Sequence, residues 1–240
     1  MGCWINLTTV PASKVPTVVI PNVKNHLCLF ARQSLLSVGE SFSLSILRDI
    51  KHKLCMLCVF FFTMMALRVV TTRFILVQTS HNGNVGAAAR AIKTMGFDDL
   101  CLVEPRDPSV INRAKTIHGA SGALDVLGST KTYDTVEEAL DGFEYKCATG
   151  MPVSMGQERA EQVYIAPRRY FEEIVRGDSN KGLKIAFLFG NEKCGLKEHE
   201  IARCSCILGI PTNPSFGSLN LAAAVQLIAY DWREALGGFR

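Results

Sequence analysis

From Arg73 onward, short apolar runs rich in β-formers alternate with stretches of helical periodicity, and that alternation leaves few folds open. The strand-like runs are residues 74–79, 100–104, 124–127, 145–149, 184–189 and 206–210. The helical stretches are 85–96, 109–120, 136–140, 168–176, 198–204 and a long closing helix, 219–236. Strands separated by helices of this length predict an α/β fold built on a parallel sheet. A chain of 240 residues can bury a real core in one or two domains. No internal repeat or low-complexity tract interrupts the pattern.

Residues 1–70 do not share this pattern. Residues 1–39 contain no acidic residue, only scattered Lys14, Lys24 and Arg32, and many Ser, Thr and Val, which is the composition of an organelle transit segment. Residues 54–67 are uncharged and lie between Lys53 and Arg68. A membrane span needs about 20 apolar residues, so this run is short for one. It reads as a signal-like core, a hydrophobic arm, or translated upstream sequence ahead of a start at Met64 or Met65. We therefore expect residues 1–70 to be a leader-like segment outside the folded core and residues 71–240 to be one domain. The compartment stays open: cytoplasm, or mitochondrion or plastid if the leader is a genuine transit segment.

Charge is divided in the same way. Residues 1–70 hold seven Lys/Arg against two Asp/Glu, and residues 71–240 hold nineteen against twenty. The overall charge of +4 thus says nothing about nucleic-acid binding by the folded part, where any such contact must come from a local patch. Of the nine cysteines, Cys55 and Cys58 form a lone C-x-x-C with no second pair, so no structural metal site is expected. Cys101, Cys147, Cys204 and Cys206 sit in or beside apolar runs and read as buried thiols in a reducing compartment.

Three blocks carry the chemistry. The first runs His81-Asn82-Gly83-Asn84-Val85-Gly86-Ala87-Ala88-Ala89-Arg90, the second Phe189-Gly190-Asn191-Glu192-Lys193-Cys194-Gly195-Leu196, and the third Ser218-Leu219-Asn220-Leu221. Each is a polar turn at the edge of an apolar run, offering backbone donors and amide or hydroxyl side chains but almost no acid–base groups. Gly83-x-x-Gly86-x-x-Ala89 after a strand, with Glu104 about twenty residues on, is also close to the dinucleotide-binding fingerprint and would suit an NAD-dependent enzyme. That reading leaves the second and third blocks without a job. On the first helix, Ala87, Ala88, Ala91, Ile92 and Met95 form a packing stripe and Arg90 lies off it. Asn84 can be read as a plain helix N-cap, and Ser218 as the cap of the last helix.

In order and spacing, the blocks resemble the three signatures of the SPOUT superfamily, specifically its TrmH/TrmJ-type RNA ribose 2′-O-methyltransferases, over residues 71–240. The resemblance implies a parallel sheet with a C-terminal trefoil knot, a homodimer, S-adenosylmethionine as methyl donor, and RNA as substrate, tRNA ahead of ribosomal RNA. It places Arg90, Asn84, Glu192, Ser218 and Asn220 at the reacting ribose. It places Thr149, Gly150, Gly190, Ile210, Ser218 and Leu219 around the cofactor. Two departures from the TrmJ branch stand out. Ala148-Thr149-Gly150-Met151-Pro152 replaces Gly-Thr-Ser-x-Arg, and Asn191 stands where that branch usually has Arg. Asn191-Glu192 agrees better with the broader TrmH pattern; the loss of the Arg after Thr149 favours a catalytically silent RNA-binding homologue, and intact Arg90 argues against one.

Overall fold

A computed structural model describes residues 17–19, 68–151, 164–177 and 182–239. The apolar run at 54–67 and the Cys55–Cys58 pair lie outside them. Strands are β1 (Thr17–Val19), β2 (Arg68–Val77), β3 (Leu100–Val103), β4 (Lys131–Tyr133), β5 (Tyr145–Gly150), β6 (Tyr164–Ile165), β7 (Leu183–Phe189) and β8 (Cys206–Gly209). Helices are α1 (Asn82–Thr94), α2 (Ala114–Ala120), α3 (Leu124–Ser129), α4 (Val136–Leu140), α5 (Pro167–Gly177), α6 (Glu198–Ile201) and α7 (Leu221–Ala235), with a 3₁₀ turn at Val110–Asn112.

The predicted parallel sheet is present. Seven strands run parallel in the order β4-β3-β2-β7-β5-β8-β6, and β1 pairs antiparallel with the start of β2. Alternate residues of the central strands feed two cores, as the period of two in a strand requires. Phe74, Leu76, Leu102, Phe187 and Phe189 face α1, α5 and α7. Ile75, Val77, Cys101, Ala148 and Leu188 face α4 and the segment through Leu196. Trp232 of α7 is fully buried against Phe171 and Phe187, and its indole nitrogen donates to Thr72 Oγ1 at 2.9 Å. That bond ties the closing helix to β2.

Four expectations need correction. Residues 124–127 form the start of helix α3 rather than a strand: Val126 and Leu127 are buried while Leu124 is 52% exposed, and Thr130 Oγ1 caps back onto Val126 O. A short apolar run does not distinguish the two states. The stretch 198–204 holds only the single turn α6, after which Ser205 N donates to Lys146 O of β5 at 2.7 Å. The core strand begins at Arg68, five residues before Arg73. Cys101 and Cys147 are buried free thiols as expected, but Cys204 and Cys206 are half-buried. Strands β4 and β6, three and two residues long, are too short to show in the sequence.

Helices α1 and α2 meet backbone to backbone. A Cβ on Gly86 would lie 2.0 Å from Thr116 O and 2.8 Å from Ala120 N, and one on Gly119 would lie 2.9 Å from Gly83 O. Thr116 Oγ1 adds a bond to Asn82 O at 3.0 Å. Ala87, expected on the sheet-facing stripe, is half-buried, whereas Val85 and Ala89 are fully buried, so the apolar face of α1 is wider than the alanine spacing suggests.

Candidate active site

The carboxyl ends of β2, β7, β5 and β8 lie side by side, where open α/β sheets bind ligands. Register sets the levels: Ala148 pairs with Leu188 and Gly150 with Gly209, so Gly190, Gly150 and Gly209 fall at one height across three adjacent strands. Protein backbone and ring occupy the space that side chains would need there. A Cβ on Gly190 would meet Gly195 C at 2.2 Å and Leu196 N at 2.3 Å, and one on Gly150 would meet the Tyr164 ring at 2.8 Å. Thr149 Oγ1 closes the row by donating to Leu188 O at 2.9 Å.

The second block folds back on itself. Asn191 and Gly195 exchange backbone bonds at 3.2 and 2.8 Å, and Gly195 has φ +69°, a left-handed conformation that favours glycine. Asn191 is buried, donating through its amide to Gln78 O and accepting from Lys193 N at 2.9 Å. Gln78 itself has φ 49°, so its carbonyl is turned out of the β2 ladder and met by that amide. A short amide suits this position because it works inside the turn, which accounts for the departure from arginine.

This turn presents Glu192 to the first block. Its Oε2 accepts from Ser80 N at 2.9 Å and from Ser80 Oγ at 2.8 Å, and its Oε1 accepts from His81 N at 3.1 Å and Asn84 Nδ2 at 3.0 Å. Asn84 Oδ1 in turn accepts from Asn220 Nδ2 at 3.0 Å, and Asn220 Oδ1 accepts from Ala222 N at 2.9 Å. One chain of hydrogen bonds thus runs through all three sequence blocks. Two capping expectations fall with it. His81 precedes α1 without a side-chain cap, so Asn84 is a first-turn residue aimed at Glu192 rather than an N-cap. Asn220, not Ser218, caps α7.

Partial burial pushes the Glu192 carboxyl up, but donors from Ser80 N, the Asn84 amide and the Ser80 hydroxyl outweigh it and hold it at about 2, below the ordinary 4.5. A carboxyl depressed by folding stabilises the native state above its unfolded value, and that contribution fades as pH falls from about 4.5 towards 2. After allowing for solvent screening it is worth about 1–2 kcal/mol. Glu192→Gln should therefore lower the urea midpoint at pH 7 and converge on the parent near pH 2–3. Equal midpoints at pH 7 would show that the clasp adds no stability.

The site residues expected from sequence are not all drawn together. Asn84, Glu192 and Asn220 are in direct contact. Ser218 and Leu219 sit just before the α7 cap, Leu219 being 38% exposed. Arg90 is exposed on α1, about 9 Å along the axis from Asn84 and about 120° round it. Among the described residues, no hydrogen bond or ion pair engages its guanidinium. Ser80, Asn191 and Gly209 were missed; for Ser80 the only signal was a polar residue at a strand end beside His81.

The geometry also disposes of the dinucleotide fingerprint. A helix N-terminus attracts anions, but at α1 the Glu192 carboxylate already takes the Ser80 and His81 amides. The space beside Gly86 that a pyrophosphate would need is filled by Thr116 O. Glu104 accepts from Gln78 Nε2 instead.

The model of the SpoU rRNA Methylase family matches residues 71–230. The tRNA (cytidine/uridine/adenosine-2′-O-)-methyltransferase TrmJ of Pseudomonas aeruginosa is 40% identical over 163 residues, which is 68% of this chain and 60% of that protein. A Haemophilus influenzae protein named as an uncharacterized tRNA/rRNA methyltransferase is also 40% identical, over 68% of this chain and 63% of its own length. The chain therefore spans less than two thirds of these curated relatives. The crystal structure of a probable methyltransferase from Bordetella pertussis Tohama I superposes with a TM-score of 0.61 at 40% identity, covering 70% of this chain and 95% of that one. The chain belongs to the SpoU methylase family.

Proposed function

We propose that this protein is an S-adenosylmethionine-dependent RNA ribose 2′-O-methyltransferase acting on tRNA. One observation carries the reading: the hydrogen-bond chain from Ser80 and His81 through Glu192, Asn84 and Asn220, which joins three loops poor in acid–base groups into one wall. Relatives named for tRNA 2′-O-methylation support the substrate.

The residues present fit the cofactor. Thr149, Gly150, Gly190, Ile210, Ser218 and Leu219 include no ionisable side chain. Half-buried Ile210 and exposed Leu219 offer apolar flanks for a purine, and the strand ends offer backbone groups. When bound, S-adenosylmethionine supplies a sulfonium-activated methyl group, leaving alignment and charge placement to the protein. Asn84 and Asn220 face the site with amides whose orientation Glu192 dictates. Arg90 orients the 2′-hydroxyl by hydrogen bond and positive charge, since a guanidinium does not deprotonate in proteins. We further propose a homodimer in which Arg90 works across the subunit boundary, supported by its exposure and lack of a partner among the described residues. We propose a trefoil knot as well, supported by β5 lying between β7 and β8.

The test is incubation of the full chain with tritiated S-adenosylmethionine and total RNA, followed by mapping of the labelled nucleotide. Label on a tRNA ribose is expected. Label confined to ribosomal RNA would move the substrate to the family's other branch. No label at all would favour a silent RNA-binding homologue.

A further inference from the structure

Just ahead of Ser218 the chain displays a phenylalanine to solvent. Phe216 is 71% exposed, and among the described residues no ring or cation packs against it. Phe239, the other strongly exposed phenylalanine, lies 4.8 Å from the Arg233 guanidinium and so has a structural partner. An exposed benzyl group forgoes the free energy of burial, so a ring held out by its loop calls for a partner that covers it.

The ring is not on a loose loop. Asn213 Oδ1 accepts from Ser215 N at 3.0 Å, and Asn213 O accepts from Phe216 N at 3.0 Å. Pro211 and Pro214 restrict the backbone between them. Gly217 is buried, and a Cβ there would lie 3.0 Å from Thr212 Oγ1 and 3.5 Å from Met151 Sδ, beside the end of β5. The loop is therefore pinned at Gly217 beside the carboxyl end of β5 while the preceding residue is exposed. Four residues on, Asn220 is bonded to Asn84 in the candidate active site. The ring thus stands on a loop that leads into that site, its backbone held in place and its side chain 71% exposed.

We propose that Phe216 is a stacking platform for a nucleobase of the RNA substrate, at or next to the nucleotide whose ribose is presented to Asn84 and Asn220. Sequence-selective RNA sites take splayed bases onto aromatic side chains, and every base has a π-face to offer. A ring fixed by its own loop pays little ordering entropy when the base arrives. The platform tolerates different bases and holds the sugar in place, so it positions the ribose without choosing the base. This inference rests on the methyltransferase reading above.

The experiment compares full-length parent, Phe216→Ala, Phe216→Leu and Phe216→Trp. Binding to fluorescently labelled unfractionated tRNA is followed by anisotropy, turnover by tritiated S-adenosylmethionine, and mass by sedimentation. Base–aromatic stacking predicts that the alanine and leucine variants weaken tRNA binding and raise its KM about ten- to a hundredfold, while the tryptophan variant stays near the parent. The KM for S-adenosylmethionine, the melting temperature and the molecular mass should not move. A tRNA affinity unchanged within about twofold in Phe216→Ala would overturn the proposal. So would full rescue by leucine, which marks a plain apolar contact, or a halved mass, which assigns the ring to contact between copies. If the parent binds tRNA but transfers no methyl group, the enzymatic reading fails while the anisotropy series still decides the stacking. If it binds no RNA, both fall.

Discussion

Arg90→Ala is expected to lose methyl transfer by on the order of a thousandfold while binding S-adenosylmethionine almost as before. Preorganised charge and donors at a reacting oxygen are worth about 10²–10³ each in turnover, with proton-transfer assistance reaching about 10⁴. The proposed cofactor positions lie at the carboxyl ends of β5, β7 and β8 and on the approach to α7, and among the described residues no hydrogen bond or ion pair joins the Arg90 side chain to them. Calorimetry with S-adenosylmethionine separates the two effects from the tritium assay. Arg90→Lys should recover only part of the rate, because an ammonium keeps the charge but not the planar fork. Retained turnover in Arg90→Ala would remove the residue from the mechanism.

The same variant tests the dimer. Within one subunit Arg90 is turned well round α1 from Asn84, so a shared site would use Arg90 of one copy with Glu192 and Asn84 of the other. Mixing and reannealing Arg90→Ala with Glu192→Ala subunits would then create one intact site per heterodimer, returning about a quarter of parental activity at random assortment. Sites built within single subunits would return none.

Gly86→Ala should have the largest effect on stability. The added methyl would sit 2.0 Å from a backbone carbonyl of α2, with Ala120 N at 2.8 Å, and neither atom can swing aside. Overpacking of this kind costs about 3 kcal/mol or more. For a domain of this size that lowers Tm by roughly 6–12 °C. Gly83→Ala is the internal control: nothing lies within 4 Å of its would-be Cβ. There the alanine should be neutral or stabilising by a few tenths of a kcal/mol, as helix preference alone dictates. Two alanines one turn apart with opposite outcomes would locate the α1–α2 contact without a crystal. Matching melting curves would place α2 elsewhere.

The fold was largely legible because β2 and β7 end in long apolar runs, residues 74–77 and 185–189, whereas β4 and β6, three and two residues long, are too short to signal themselves. Residues 124–127 misled because four apolar-rich positions fit either period. At the site, Glu192, Asn84 and Asn220 were found as separate motif residues, but that they bond to one another could not be read from positions 84, 192 and 220. Ser80 and Asn191 act through side-chain bonds whose partners, Glu192 and Gln78 O, lie more than a hundred residues away in sequence, so residue type alone does not point to them. The packing role of Gly86 could not be told from the dinucleotide fingerprint by residue type, because close approach by a helix and close approach by a phosphate demand the same missing side chain.

An ionised carboxylate has no hydrogen to give, and this dictates polarity far from Glu192 itself. Asn84 must turn its nitrogen inward, so its oxygen points outward; Asn220 must answer with nitrogen, which leaves its oxygen for the first turn of α7. Neither amide can be flipped without setting oxygen against oxygen. The dipoles of both side chains and of the closing helix are therefore aligned head to tail towards a single negative end, and a proton added there would unlock the orientation of every member of the series.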